Sequence, residues 1–252
     1  MIQLPLNKNT KLYRSLRWMY QPIKAFYQEL KYVSRRKAKI LECQNAQAFS
    51  GLHIGSGGCY MPGWLNTDLV GNSKIDFTLD ISAELPLPDN FFDAIYGSEV
   101  IEHIELAKAR LFMREAQRIL KPGGVMRLTT PDITEICRIF LGLRDDVSVE
   151  DFSTVWLGIE GEFSKEIWKE IWINSQFRAW GHKHLWTFES LSYELAKAGF
   201  SQVQRCEPHK TKFDKAQLNS LDNRYGDDPP PWIFASTLII EAQKPVATTM
   251  VS

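Results

Sequence analysis

The sequence predicts an α/β protein: a doubly wound, mostly parallel sheet of seven strands, with a helical insertion serving as a lid. Three observations predict it. Short apolar runs of strand length alternate with helix-patterned segments from about residue 49 to residue 130. A glycine cluster, Gly55, Gly57 and Gly58, follows the first of those runs directly. Between Pro131 and Trp186 the strand rhythm stops, and aromatic residues recur at helical spacing instead.

The elements follow in order. In residues 1–48, Ile23, Phe26, Tyr27, Leu30 and Val33 recur with helical period after Pro22, which predicts an amphipathic helix with basic residues around its other face. The main domain spans 49–245. Its first five strands are "FSGLHIG", "GWLNTDL", "KIDFTLDI", "FFDAIYGSE" and "VMRLTTPD". The helix "LAKARLFMREAQRILK" precedes the fifth strand, and Pro122-Gly123-Gly124 is expected to stop it and turn the chain. Within the insertion, about 131–186, "FSKEIWKEIWINSQFRAW" should place Phe163, Ile167, Trp168, Ile171 and Trp172 on one face, over the carboxyl edge of the sheet. Thr187 is the expected N-cap of the next helix, with Glu189 in its first turn. "SQVQRC" and "STLIIEAQ" complete the sheet, and 246–252 form a polar tail.

Composition narrows the function classes. The 252 residues carry 30 basic and 30 acidic side chains, so overall charge does not point to nucleic acid. The basic residues are unevenly placed: ten Lys or Arg lie between Met1 and Glu42, against Glu29 and Glu42. With Tyr13, Trp18, Tyr20, Phe26 and Tyr27 interleaved, that segment is either a solvated face or a contact for anionic membrane or a partner protein. No apolar run approaches the roughly 20 residues of a membrane span. Charges occupy the place of a secretory signal's apolar core, so a cytoplasmic protein is expected, with peripheral membrane contact as the variant. Cys43, Cys59, Cys137 and Cys206 form no C-x-x-C, which speaks for reduced thiols rather than disulfides or thiolate zinc.

A glycine loop after a buried strand lets backbone approach a ligand that a Cβ would repel. It is not the loop of a dinucleotide-binding unit: Tyr60 stands where a third glycine belongs, Pro62-Gly63 breaks any helix, and Asp68 comes early. No lysine in the loop could meet phosphates, so a P-loop is excluded. In their order, "LHIGSGG", "PGWLNTD", "LDISAELPLPDNFFDAIYGSEVIEH" and "RILKPGG" resemble the class I S-adenosylmethionine-dependent methyltransferases, and more narrowly a small bacterial type 11-like group. The resemblance runs from about Phe49 to Phe200 and implies a Rossmann-like methyltransferase fold with S-adenosyl-L-methionine as cofactor. It implies that Gly55, Ser56, Gly57 and Gly58 lie along the methionine and ribose. Asp68 would take the ribose hydroxyls, Asp80 and Ile81 the adenine, and Ser98 and Glu99 the sulfonium end. His53 stands where the family often has an acidic residue, and Cys59 where it often has a glycine. The short link between strands one and two should carry little or no helix.

The acceptor site is less determined. Methyl transfer is an in-line displacement, so a base is needed only if the acceptor carries a proton. In "EVIEHI", Glu99, Glu102 and His103 fall on one face if the strand turns into helix there. "GHKH" adds His182 and His184. E-x-x-E-H resembles the metal-binding run of some O-methyltransferases, which would make Glu99, Glu102 and His103 ligands. A divalent metal is thus admitted but not expected. The alternatives are His103 or His182 as a metal-free base with Glu102 beside it, or Glu102 and His103 as supports of the cofactor loop. Trp156, Trp168, Trp172, Trp180 and Trp186 form the core of a helical cap or wall an acceptor pocket. The expected activity is O-methylation of a saccharide or other small-molecule hydroxyl. Its rivals are a cofactor-fold protein without catalysis and a nucleotide-dependent enzyme on a similar sheet, such as a nicotinamide oxidoreductase.

Overall fold

A computed structural model describes residues 32–46, 48–144, 146–219, 221–222 and 231–246. Seven strands, β1 (Gly51–Ile54), β2 (Trp64–Asp68), β3 (Phe77–Thr78), β4 (Phe92–Ser98), β5 (Leu120–Pro131), β6 (Ser201–Arg205) and β7 (Thr237–Gln243), lie in the order β3-β2-β1-β4-β5-β7-β6. The first five run parallel, and β7 is antiparallel to both its neighbours. Strand order reverses between β1 and β4, the switch point at which doubly wound sheets open a crevice for ligands.

All four residues of β1 are buried, as a central parallel strand requires. Leu52 and Ile54 join the main core, while His53 lies on the other face, its ring 5.2 Å from that of Tyr96. The link from β1 to β2 has no helix. Buried Asn66 organises it instead: Oδ1 accepts from the Met61 N–H at 2.8 Å, and Nδ2 donates to the Met61 and Trp64 carbonyls. Strand β3 is two residues rather than the eight expected: main-chain bonds from Asp76 and Leu79 N–H to the Asn66 and Asp68 carbonyls flank it, and the chain then turns, Asp80 accepting from Ser82 N–H.

Helix α1 covers 32–46, and its Tyr32, Ile40 and Cys43 rest on the core. Of the predicted N-terminal helix, Ile23, Phe26, Tyr27 and Leu30 lie outside the described residues, as does the tail 247–252. Helix α2 (Leu106–Ile119) buries Ala109, Phe112, Met113, Ala116 and Ile119 along one stripe. It ends earlier than expected, since Leu120 is already extended and paired with Phe92. Lys121 precedes Pro122 and is sterically kept from helical geometry. The Pro-Gly-Gly is therefore absorbed as an irregularity between Phe92 and Ala94 in the β4–β5 pairing rather than as a helix stop.

The insertion holds α3 (Ile133–Phe140), α4 (Val149–Leu157) and α5 (Lys165–Arg178), with Asp132, Ser148 and Ser164 accepting from N–H groups of their first turns. It has its own core of Ile136, Ile139, Val149, Trp168, Trp172 and Leu185. The buried face of α5 is Trp168, Trp172, Ser175 and Gln176, whereas Phe163 and Ile167 are exposed. Phe163 precedes the helix, and Ile167 is one residue out of phase with that stripe. Helix α6 (Phe188–Lys197) starts at Thr187 as expected, in a reciprocal capping arrangement with Ser190. The chain returns through α7 (Pro231–Ala235) to β7. Among the described residues no helix is long and apolar enough to cross a membrane.

Candidate functional site

The site is built on the turn that follows β4. Glu99 adopts φ +53, a left-handed conformation unusual for a residue with a side chain. A single 3₁₀ turn, Ile101–His103, comes after it. The expected helical face of Glu99, Glu102 and His103 therefore does not form, because the left-handed residue breaks the helical phase before the turn begins. Main-chain bonds bring a distant segment here instead: Lys183 and His184 N–H donate to the Glu102 carbonyl at 2.8 and 3.1 Å. Trp180, also left-handed at φ +57, turns the chain out of α5 toward them.

The group that comes together is Glu102, His103 and His182, each offering a ligand-type atom, all within 4.8 Å of one another. The rings of His103 and His182 meet edge to face at 5.1 Å. His182 Nδ1 lies 2.6 Å from the Gln176 carbonyl oxygen, so this nitrogen carries the proton and Nε2 keeps the lone pair. Glu102 is fully buried; its Oε2 accepts from Thr130 Oγ1 at 3.2 Å, and its Oε1 receives no hydrogen bond. Burial first, and the neighbouring Glu99 carboxylate second, push the Glu102 carboxyl well above the ordinary range. His184 stays outside this group, its ring 4.3 Å from Trp186 and its basicity lowered by burial.

Two hollows open at the carboxyl edge and share Glu99 and His103. One, of about 540 Å³, is lined by Gly55, Gly57, Asp68, Asp80 and Ile81 on one side and by Val100 and Lys183 on the other. The second, of about 320 Å³, is walled by Phe152, Trp156 and Trp180, with Gln176, His182 and Glu102 among its polar members. The two alternatives for the tryptophans thus divide by residue. Trp168 and Trp172 are cap core, Trp186 belongs to the main core, and Trp156 and Trp180 face the hollow.

The predicted cofactor residues do not all line one cleft. Gly55, Gly57, Asp68, Asp80, Ile81 and Glu99 border the larger hollow. His53, Ser56 and Ser98 line a third hollow of about 210 Å³ with Tyr96 and Asp222, joined to the first only through Gly55. Strand alternation is the reason for His53, which points to the Tyr96 face. Gly58 borders none of the three, and its carbonyl accepts from Lys74 Nζ at 2.9 Å. Asp68 holds the glycine loop itself, Oδ2 accepting from Gly57 N–H at 2.8 Å and Oδ1 from Val70 N–H at 3.1 Å. A Cβ on Gly55, at φ +59, would stand 2.5 Å from Val100 Cγ2.

Residues that sequence reasoning missed are Gln176, Phe152, Thr129 and Thr130. "LTTPD" at the end of a predicted strand could have flagged the two threonines, since carboxyl ends of parallel strands face the crevice. Nothing local flags Gln176. A divalent cation fits the donor set of Glu102, His103 and His182 chemically, and the buried, unmet Glu102 Oε1 is the observation in its favour. The spread of 4.8 Å is wider than the roughly 4.2 Å between opposite ligands of an octahedral ion with bonds of about 2.1 Å, so the three side chains would have to draw together to share one.

Residues 52–128 match the family model described as a methyltransferase domain. A probable S-adenosylmethionine-dependent methyltransferase of Mycolicibacterium smegmatis is 41% identical over 59 residues, which are 23% of this chain and 22% of that protein. One from Mycobacterium tuberculosis is 38% identical over 72 residues, 29% of this chain and 24% of that protein. The match thus spans less than a quarter of the length of these curated relatives. Among solved structures, the YcgJ protein from Bacillus subtilis superposes with a TM-score of 0.45 at 14% identity, over 81% of this chain and 97% of that one.

Proposed function

We propose that this chain, whose residues 52–128 match a methyltransferase domain model, transfers a methyl group from S-adenosylmethionine to a hydroxyl oxygen of a small neutral acceptor, such as a saccharide. The observation that carries the reading is that a glycine-and-carboxylate hollow and an aromatic hollow meet at Glu99 and His103. A donor in one and an acceptor in the other would face each other across that junction.

When bound, the cofactor supplies an electrophilic methyl group on a sulfonium, and everything else is positioning. Gly55 and Gly57 offer backbone without side chains for close approach. Asp68 and Asp80 accept hydrogen bonds from hydroxyl and amine groups, and Ile81 gives an apolar face for a flat ring. The aromatic walls exclude water and orient the acceptor so that its oxygen lines up with the carbon–sulfur bond. Transfer to a hydroxyl would release its proton, and His182 Nε2, the lone-pair nitrogen, is the imidazole atom that would take it. A divalent cation on Glu102, His103 and His182 would lower the hydroxyl's pKa and serve the same end.

Calorimetry with S-adenosylmethionine, followed by mass spectrometry of cell extracts incubated with labelled cofactor, tests the reading; no cofactor binding at all sinks it. Full activity after exhaustive chelation would remove the metal and leave the imidazole. The basic N-terminal segment is a candidate contact for anionic membrane or a protein partner. Liposome sedimentation of the full chain and of a version lacking residues 1–39 decides this, equal pelleting of the two ruling out the membrane.

A further inference from the structure

Gln176 lies on α5, 4% exposed, and lines the aromatic hollow. Its side-chain Nε2 is buried without a hydrogen-bond partner. Buried amide donors are normally satisfied, since an unmet one has given up its hydrogen bond to water for nothing in return. In the same hollow, the fully buried Glu102 has its Oε1 unmet as well. One wall therefore carries a donor, and another a carboxyl oxygen 3.8 Å from His103 Nε2, that no protein group hydrogen-bonds.

The rest of the lining limits what could meet them. Phe152, Trp156 and Trp180 present ring faces and edges, which suit a flat or shallow ring. Glu99 and Glu102 are the acidic side chains there, and among the described residues no Lys or Arg lines the hollow, so a carboxylate or phosphate on the occupant would find no basic side chain of that kind to pair with. About 320 Å³ accommodates a molecule of one or two rings.

We infer that Gln176 is a specificity-determining residue: its side-chain amide donates a hydrogen bond to a second oxygen of a neutral ring diol whose other hydroxyl is held for methylation at Glu102, His103 and His182. The inference rests on the methyltransferase reading. Two sources share this chemistry, a saccharide and a catechol-type aromatic. Gln176 also holds His182, but through its main-chain carbonyl, which side-chain replacement leaves in place. Selectivity and histidine geometry are therefore separable by mutation.

The experiment is calorimetry on the full chain saturated with S-adenosylhomocysteine. Catechol is compared with phenol, methyl β-D-glucopyranoside with cyclohexanol, and catechol with 3,4-dihydroxybenzoate as the anionic arm. In the unaltered protein one diol binds about tenfold or more tighter than its monohydroxy partner, and the carboxylated ring binds more weakly. Gln176→Leu removes the donor and abolishes the diol preference, with affinity for S-adenosylhomocysteine unchanged. Gln176→Met, which keeps the side chain's length but has no N–H, does the same and serves where the leucine variant fails to fold. Whichever pair shows the preference names the source. Absence of binding by every probe, equal affinity within both pairs, tight binding of the carboxylated ring, or a preference that survives Gln176→Leu overturns the inference. Failure of the cofactor product to bind counts against the methyltransferase reading, whereas its binding without diol preference counts against Gln176 alone.

Discussion

His182 Nδ1 lies 2.6 Å from the main-chain oxygen of Gln176, and that bond decides which imidazole nitrogen faces chemistry. A ring left to rotate would present either nitrogen. Held by a helix carbonyl near the end of α5, it presents Nε2 as acceptor beside Glu102 and His103.

His182→Ala should therefore lower methyl transfer by roughly 100-fold, the usual worth of a positioned proton acceptor, while cofactor affinity stays within about twofold. Turnover with labelled cofactor and calorimetry give the two numbers. Undiminished turnover would show that proton removal does not depend on this ring.

The raised pKa of Glu102 makes stability depend on pH in a defined direction. Below the ordinary carboxyl value of 4.5 the folded and unfolded chains are both protonated. Above it the unfolded chain gives up its proton first, while the folded one retains it, so this residue's contribution falls as pH rises until the folded group ionises too. Glu102→Gln should abolish that fall. Urea denaturation of both proteins at several pH values between about 4.5 and 8, with chelator present, checks it; parallel pH curves would contradict it.

Gly55→Ala places a Cβ in a left-handed residue and 2.5 Å from Val100 Cγ2. A destabilisation of about 2 kcal/mol or more is expected from backbone strain and overlap together, with loss of cofactor binding as the loop shifts. Gly57→Ala has open space around its Cβ and bears only the backbone strain, so it should be milder. Equal effects in thermal melts would mean that Val100 yields freely.

Arg127 is fully buried on β5, with Asp222 at 2.6 Å and Glu241 at 2.7 Å, and it also donates to the carbonyls of Glu207 and Lys210. It fastens the segment after β6 to the sheet beside the third hollow. Arg127→Met leaves two buried carboxylates without their cation and should cost about 3–5 kcal/mol. The triple replacement with Asp222→Asn and Glu241→Gln should recover much of that. A fully stable Arg127→Met protein in urea titration would show that water reaches the carboxylates.

Local sequence determined the strand order's raw material, the glycine turn after β1, the helix starts at Thr187 and α2's buried stripe, because period and turn chemistry act between near neighbours. It also determined that Asp68 stands at the end of β2. The length of β3 was not legible, because the chain turns at Asp80, which accepts from Ser82 N–H, inside an apolar run that reads as strand. Nor was the early end of α2, where the restriction of the residue before Pro122 outweighed the helical pattern.

Only tertiary structure decided the acceptor side. Glu99 left the expected face because of its backbone conformation, and His182 took a place beside Glu102 and His103 because the Glu102 carbonyl captured two N–H groups of a remote segment. Gln176 and Trp180 became walls of a hollow through the packing of a helix inserted far along the chain. The physical reason is range: a helix or turn is specified by residues a few positions apart, whereas a cavity is the space left between elements that the sequence brings together only through burial.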